Sequence, residues 1–181
     1  YFAHRAMLRA GRWTRAEYLN HVGDEAERAV AAARHGLSIE EAAELTWKPP
    51  DEAAGDSDAY YARGHLVALA VDATMRVRTQ GRHGIEEVLR GLLDEAERKG
   101  GVAPIDSARL ARAVDALAPG VGAKLLAWVR GGNETAAVVD ALRTIGLGLA
   151  CKDAPARTVA GFAAERGREQ DDLRVVAVGD G

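Results

Sequence analysis

The chain has 181 residues, with 24 Lys and Arg against 27 Asp and Glu, and a formal net charge of −3. This length suffices for one buried core and leaves little room for two full domains. Because basic and acidic residues alternate along the sequence, no positively charged face for nucleic acid is expected. The longest apolar run, residues 66–71, is too short to cross a bilayer, and the single cysteine, Cys151, excludes an internal disulfide.

The first 47 residues predict three helices separated by capping signals. Residues 1–10 have helical spacing of apolar side chains and end at Gly11. Two later pairs match the capping box, in which a hydroxyl and a carboxylate three residues apart bond each other's backbone amides. The pairs are Thr14 with Glu17, and Ser38 with Glu41. They predict a long helix that ends near residue 34 and a shorter one that ends near residue 47.

A fourth, central helix is predicted after an acidic loop. Residues 49–57, PPDEAAGDS, are rich in Pro, Gly and Ser, which is typical of an exposed connection. The helix predicted over residues 58–80 is apolar around most of its circumference, so we expect it at the centre of the fold. Asp72 and Arg76 lie four residues apart on it and predict an ion pair.

The remaining sequence predicts four more helices and a strand hairpin. The helical ranges are 85–98, a segment capped by Asp106 that ends before Pro119, 121–130 and 134–145. Beyond Gly146 the short runs LGLAC, TVAGF and LRVVAV favour strands. The predicted fold class is therefore mainly α, a helical bundle over residues 1–150 with a short β segment over residues 151–181.

Motifs of a self-sufficient catalyst are missing from the sequence. A zinc hydrolase of helical fold would need H-E-x-x-H, which places two histidines on one helical face. The five histidines, at positions 4, 21, 35, 65 and 83, include no pair four residues apart. Each is interpreted singly as a structural or solvated side chain. A nucleophile elbow and a phosphate loop are also missing, so we expect no self-sufficient catalyst. Without H-E-x-x-H, we also expect this chain by itself to bind no zinc.

Two tyrosines, Tyr60 and Tyr61, begin the predicted central helix in the stretch SDAYYARGHLVALAVD. A phenol stays protonated at neutral pH, so at a helix start that lines a cleft it can donate a hydrogen bond to a developing oxyanion. Aromatic pairs at helix starts are also common packing groups. The residues alone leave both interpretations open.

The stretch from residue 60 to residue 93, YYARGHLVALAVDATMRVRTQGRHGIEEVLRGLL, resembles the glycyl aminopeptidase family. These are zinc enzymes of the gluzincin clan that carry a C-terminal PDZ domain. The shared pattern is Tyr-Tyr-x-Lys/Arg-Gly, an apolar helix with an acidic residue and an arginine, a glycine turn, and a helix that begins Leu/Ile-acidic-acidic-Val. The resemblance covers roughly residues 1–150 and is loosest over residues 37–57.

The opening, YFAHRAMLRAGRWTRAEYL, is similar to the family segment that follows the third zinc ligand. The resemblance implies that all three zinc ligands lie upstream of Tyr1, and that zinc belongs to the parent protein. It further implies a fold like the C-terminal subdomain of a thermolysin-like peptidase, with the missing N-terminal half as its partner. The implied reaction is the release of small N-terminal residues, such as Gly or Ala, from a peptide substrate.

The resemblance also assigns roles to single residues. Tyr61 is in the register of the clan's catalytic tyrosine, which stabilises the tetrahedral intermediate opposite the zinc. Tyr60 lies one residue too early and is the runner-up. Arg63 replaces the commoner lysine, as a substrate contact or as a structural pair. The tail from Thr158 onward resembles the first two strands of a PDZ domain and stops before a peptide groove is complete.

Two other interpretations remain open. The first is that the chain is a non-catalytic helical interaction or scaffold domain. A third possibility is a helical regulator that binds a small molecule in an apolar pocket. The peptidase interpretation alone predicts H-E-x-x-H upstream of Tyr1.

Overall fold

The computed structural model describes residues 1–33, 36–46, 59–101, 104–131, 135–151 and 173–176. Within these ranges the chain forms eight helices and two short strands, which confirms the predicted mainly α bundle. The elements are α1 (Phe2–Arg9), α2 (Arg15–Ala33), α3 (Ile39–Thr46), α4 (Ala59–Arg78), α5 (Ile85–Arg98), α6 (Ser107–Leu117), α7 (Val121–Arg130), α8 (Thr135–Arg143), β1 (Gly148–Cys151) and β2 (Leu173–Val176).

Both predicted capping boxes form. The Thr14 amide donates to Oε2 of Glu17 at 2.7 Å, and the Glu17 amide donates to the Thr14 hydroxyl at 3.2 Å. The corresponding pair at the start of α3 has distances of 2.7 and 3.1 Å. These bonds satisfy amides that a helix start leaves unpaired, which fixes where α2 and α3 begin. The acidic loop of residues 49–57 lies outside the described residues.

The central helix is α4, two residues shorter at its C-terminal end than predicted. It ends at Arg78 because Gln80 and Gly81 turn the chain with φ values of +54° and +79°. Helices α2, α3, α5, α7 and α8 pack around it. Val71 and Met75 on α4 are fully buried. Most residues between Ala62 and Val71 are buried as well. No helix among the described residues has the length and apolarity that a membrane span requires.

Helices α6 and α7 form a tight pair after the Asp106 cap, which accepts a bond from the Arg109 amide at 2.6 Å. Gly122 lies against the Ala111 carbonyl of α6, and a Cβ atom at position 122 would overlap this carbonyl oxygen. Its amide donates to Oδ1 of Asp115 at 2.7 Å. A glycine at the start of α7 is what allows this close approach of the two backbones.

The two strands follow α8 in the chain. β1 pairs antiparallel with β2, in a register that places Gly148 opposite Val176 and Cys151 opposite Leu173. They fall on the predicted runs LGLAC and LRVVAV, whereas the run TVAGF lies outside the described residues. The interpretation of this segment as the start of a PDZ domain stays a prediction.

Candidate functional site

One face of α4 carries four of its polar side chains. Tyr61, His65, Asp72 and Arg76 are spaced by 4, 7 and 4 residues along the helix. At about 100° per residue these positions fall within an arc of roughly 60°. We call these four residues the polar stripe. Helix α1 lies along its middle, because Arg5 bonds Asp72 and the ring of His4 packs on that of His65.

Asp72 is the centre of the first of two clusters on the stripe. Its Oδ2 atom accepts hydrogen bonds from Nη1 of Arg5 and Nε of Arg76, both at 2.8 Å. Its Oδ1 atom accepts from the Ile85 amide at 2.9 Å, at the first residue of α5. Asp72 thereby joins three helices while it is only 5% exposed. The predicted ion pair with Arg76 is confirmed.

The charges around Asp72 are balanced. Arg5 also donates to the Tyr1 phenol at 2.7 Å, and Glu86 lies 3.6 Å from Nε of Arg5. Burial acts to raise the pKa of Asp72, but hydrogen bonds from Arg76 and the Ile85 amide outweigh it, and the net pKa lies below its ordinary value. We call Tyr1, Arg5, Asp72, Arg76 and Glu86 the Asp72 cluster.

The turn before α5 packs closely against the Asp72 cluster at Gly84. A Cβ atom at Gly84 would overlap Oδ1 of Asp72 and Nη2 of Arg76. The Gly84 amide also donates to Oε2 of Glu87 at 2.8 Å and so caps α5. A residue without a side chain is therefore required where α5 meets the Asp72 carboxylate.

The second cluster lies two turns nearer the start of α4. One ligand atom each from His4 on α1, Glu25 on α2 and His65 on α4 lies within 4.8 Å of the others. Glu25 is 9% exposed and His65 is 5% exposed. Nδ1 of His4 and Nε2 of His65 are buried and have no hydrogen-bond partner. We call these three residues the His4–Glu25–His65 cluster.

Aromatic rings surround the imidazoles of this cluster. The rings of His4 and His65 are 4.8 Å apart between centroids, and Tyr1 packs edge-on against His65 at 5.9 Å. The Trp13 ring lies 5.2 Å from that of His4 and stacks on His21 at 4.1 Å. The two unpartnered nitrogens are buried among these side chains.

Burial favours the neutral form of both imidazoles in this cluster. It is the largest cause that lowers the pKa of His65 to about 3. It also lowers the pKa of His4 below its ordinary value. Glu25 is the acid of the cluster, and its Oε1 atom pairs with Nη2 of Arg28 at 2.5 Å. The Arg28 side chain is itself 62% exposed.

Tyr60 and Tyr61 begin the same helix. The Tyr61 side chain is 64% exposed, one helical turn before His65, whereas Tyr60 is half-buried. Their ring centroids are 4.1 Å apart with an interplanar angle of 32°. Arg63 is 2% exposed, and its Nη1 donates to the Leu37 carbonyl at 2.6 Å. This contact favours structural pairing over substrate contact as the role of Arg63.

The His4–Glu25–His65 cluster is the part of the site that sequence reasoning missed. Its members are 21 and 40 residues apart along the chain, so no local spacing connects them. The sequence around each histidine gives no indication that His4 and His65 lie close together. The available signal was the polar stripe itself, because His65 shares a helical face with Asp72 and Arg76.

No protein-family model matches the chain, and no curated protein matches it. The resemblance carried by residues 60–93 therefore remains a prediction. The function has to be argued from the geometry of the polar stripe and of the tyrosines at its start.

Proposed function

We propose that this chain is the C-terminal helical half of the catalytic domain of a zinc-dependent aminopeptidase. It forms one wall of the substrate cleft and contributes Tyr61 to the reaction. The observation that carries the proposal is the 64% exposure of Tyr61 at the start of α4, a helix whose residues from Ala62 to Met75 are mostly buried. A phenol that faces solvent from a fixed helix is available to a substrate.

The surroundings of Tyr61 hold it in place. Ala62, the next residue, and Leu66, about one turn later, are 1% and 3% exposed and pack into the core. Arg63 ties this turn to the carbonyl of Leu37, next to the start of α3. The ring of Tyr60 supports that of Tyr61. A donor held in this way needs little reorganisation when charge develops next to it.

The proposed role of Tyr61 is to donate its O–H to the oxyanion that forms as the scissile peptide carbonyl becomes tetrahedral. This bond is stronger in the transition state than with the neutral carbonyl, so it accelerates the chemical step rather than tightening binding. The zinc ion of the parent protein supplies an activated water. Its ligands are expected outside this chain, since no H-E-x-x-H motif occurs in it. The expected products are small N-terminal residues, Gly or Ala.

The test is Tyr61→Phe in the parent protein, assayed with glycyl and alanyl peptides. We expect kcat to fall by about 10²–10³-fold with little change in KM, because only a transition-state interaction is removed. Tyr18→Phe, which removes a phenol oxygen from α2, is the matched control and should keep wild-type turnover. A large loss in Tyr60→Phe with normal turnover in Tyr61→Phe would move the role to the runner-up. Normal turnover in both would refute the assignment.

The parent reading frame offers a second test. Upstream of Tyr1 it should encode H-E-x-x-H and then a glutamate shortly before Tyr1. Finding neither would contradict the peptidase proposal.

A non-catalytic interaction or scaffold domain is the alternative, and one observation favours it. Leu89 and Leu93 are 37% and 58% exposed on adjacent turns of α5. Apolar side chains four residues apart form a small surface patch of the kind that a partner protein covers. Under this alternative Leu89→Ser with Leu93→Ser would abolish complex formation, whereas Tyr61→Phe would change nothing.

A further inference from the structure

We propose that the His4–Glu25–His65 cluster is a binding site for a divalent first-row transition metal, and that zinc is the ion it fits best. The proposal concerns side chains within this chain and does not rest on the peptidase function. From the spacing of the histidines along the sequence, no metal site is expected. The fold brings the two imidazoles together although they are far apart in sequence.

The donor set agrees with this class of metal. Two neutral imidazoles and one carboxylate are a common ligand set of zinc in proteins, with a fourth position left for water. Harder ions such as Mg²⁺ and Ca²⁺ prefer oxygen ligands throughout. The two nitrogens and one carboxylate therefore select for zinc and its neighbours in the first row.

The geometry is close to that of a bound ion. The three ligand atoms lie within 4.8 Å of one another. In a tetrahedral zinc site, with bonds of about 2.1 Å, ligand atoms are about 3.4 Å apart. A bound ion would therefore draw the three ligand atoms closer together by at most about 1.4 Å.

The unpartnered nitrogens are the second, independent observation. Buried polar atoms are almost always hydrogen-bonded, because an unmade bond costs the full desolvation of the group. Here Nδ1 of His4 and Nε2 of His65 are both without a partner at one place in the fold. A metal ion would satisfy groups that nothing among the described residues satisfies.

The positive group next to the cluster does not prevent binding. Arg28 pairs with Glu25, but its largely exposed side chain can turn into solvent when the carboxylate binds an ion.

The experiment uses the metal-free 181-residue chain, titrated at pH 8 with Zn²⁺ in competition with a chromophoric chelator. We expect one Zn²⁺ per chain. A parallel titration with Co²⁺ should give the intense visible absorption of a tetrahedral site with nitrogen and oxygen ligands. His4→Gln and Glu25→Gln should each weaken Zn²⁺ binding by more than about 100-fold, the upper range for losing a residue that merely orients a ligand.

The matched control is His83→Gln, which removes a half-buried histidine in the turn before α5, outside the cluster. It should bind Zn²⁺ as the wild type does. Circular dichroism on each variant separates loss of binding from loss of fold. Because His4 is only half-buried, His4→Gln stays informative even if the more buried His65→Gln fails to fold.

Two results would overturn the proposal. One is uptake of less than one Zn²⁺ per wild-type chain. The other is unchanged affinity in the double variant His4→Gln with Glu25→Gln. Neither outcome bears on the turnover of Tyr61→Phe in the parent protein, so failure of the metal site and failure of the peptidase function are distinguished.

Discussion

The Asp72 cluster and the His4–Glu25–His65 cluster both contain residues of α1 and α4, and they lie about two turns apart along α4. Their central residues on α4, Asp72 and His65, are equally buried at 5% exposure. Both oxygens of Asp72 accept hydrogen bonds, whereas each imidazole of the second cluster has a nitrogen without a partner. One cluster is complete as a structural joint, and the other retains capacity for a ligand.

This difference predicts opposite responses to removal of the central residue. Asp72→Ala should lower the free energy of unfolding by about 3 kcal/mol, because it removes the acceptor of the buried Ile85 amide and the carboxylate that Arg5 and Arg76 share. Urea denaturation measures the loss. Asp140→Ala, at an ion pair whose acid is 69% exposed, is the control and should change stability by less than about 1 kcal/mol. If the two variants were equally stable, Asp72 would not be a joint between helices.

The fit at Gly84 can be tested without removing any polar group. Gly84→Ala should cost about 1–3 kcal/mol, because its Cβ displaces the side chains of Asp72 and Arg76. Gly91→Ala, on the exposed side of α5 with open space around it, should instead stabilise the protein by about 0.5–1 kcal/mol. Equal effects of the two substitutions in urea denaturation would show that the Asp72 cluster tolerates rearrangement.

The state of His65 is best tested through the pH dependence of the free energy of unfolding. The unfolded chain takes up a proton on this imidazole near pH 6.5, but the folded chain does so only near pH 3. The stability that the neutral form confers is therefore complete above about pH 6.5 and is lost as the pH falls towards 3. A single group contributes at most about 1.4 kcal/mol per pH unit to this slope.

His65→Leu tests this contribution. Between pH 6.5 and 4, with a chelator present, the variant should lose stability less steeply than the wild type. At pH 8 its stability should stay close to that of the wild type, because the replaced nitrogen has no partner to lose. Denaturation curves at pH 8, 6 and 5 make the measurement, with His83→Leu as control. Parallel slopes in wild type and variant would contradict the neutral buried state of His65.

The smallest effect is expected for Tyr61→Phe on stability. Because the side chain is 64% exposed, the free energy of unfolding should change by less than about 0.5 kcal/mol. A thermal or urea unfolding curve suffices. A loss above 1 kcal/mol would make the phenol a structural group and would remove the observation on which the proposed function rests.

Local signals predicted the helices well. Thr14 and Ser38 mark helix starts because a capping box needs only four consecutive residues to form. The Asp72–Arg76 pair was also predictable, since a spacing of four residues places both side chains on one helical face. These features depend on separations within one or two turns.

The contacts that complete both clusters depend on how α1 crosses α4, which no local pattern specifies. Arg5 meets Asp72 across 67 residues of sequence. His4 meets His65 across a similar distance, and the family resemblance assigned no role to either histidine. Likewise, the sequence leaves two roles open for Arg63, and its contact with the Leu37 carbonyl favours structural pairing.

The bond from the Ile85 amide to Asp72 has a consequence for local opening of the fold. The first amide of a helix usually exchanges its proton rapidly with solvent, because it has no partner within its own helix. At Ile85 the acceptor belongs to α4, so this amide is released only when the two helices separate. Slow exchange at Ile85 would therefore report that the contact between α4 and α5 opens only rarely.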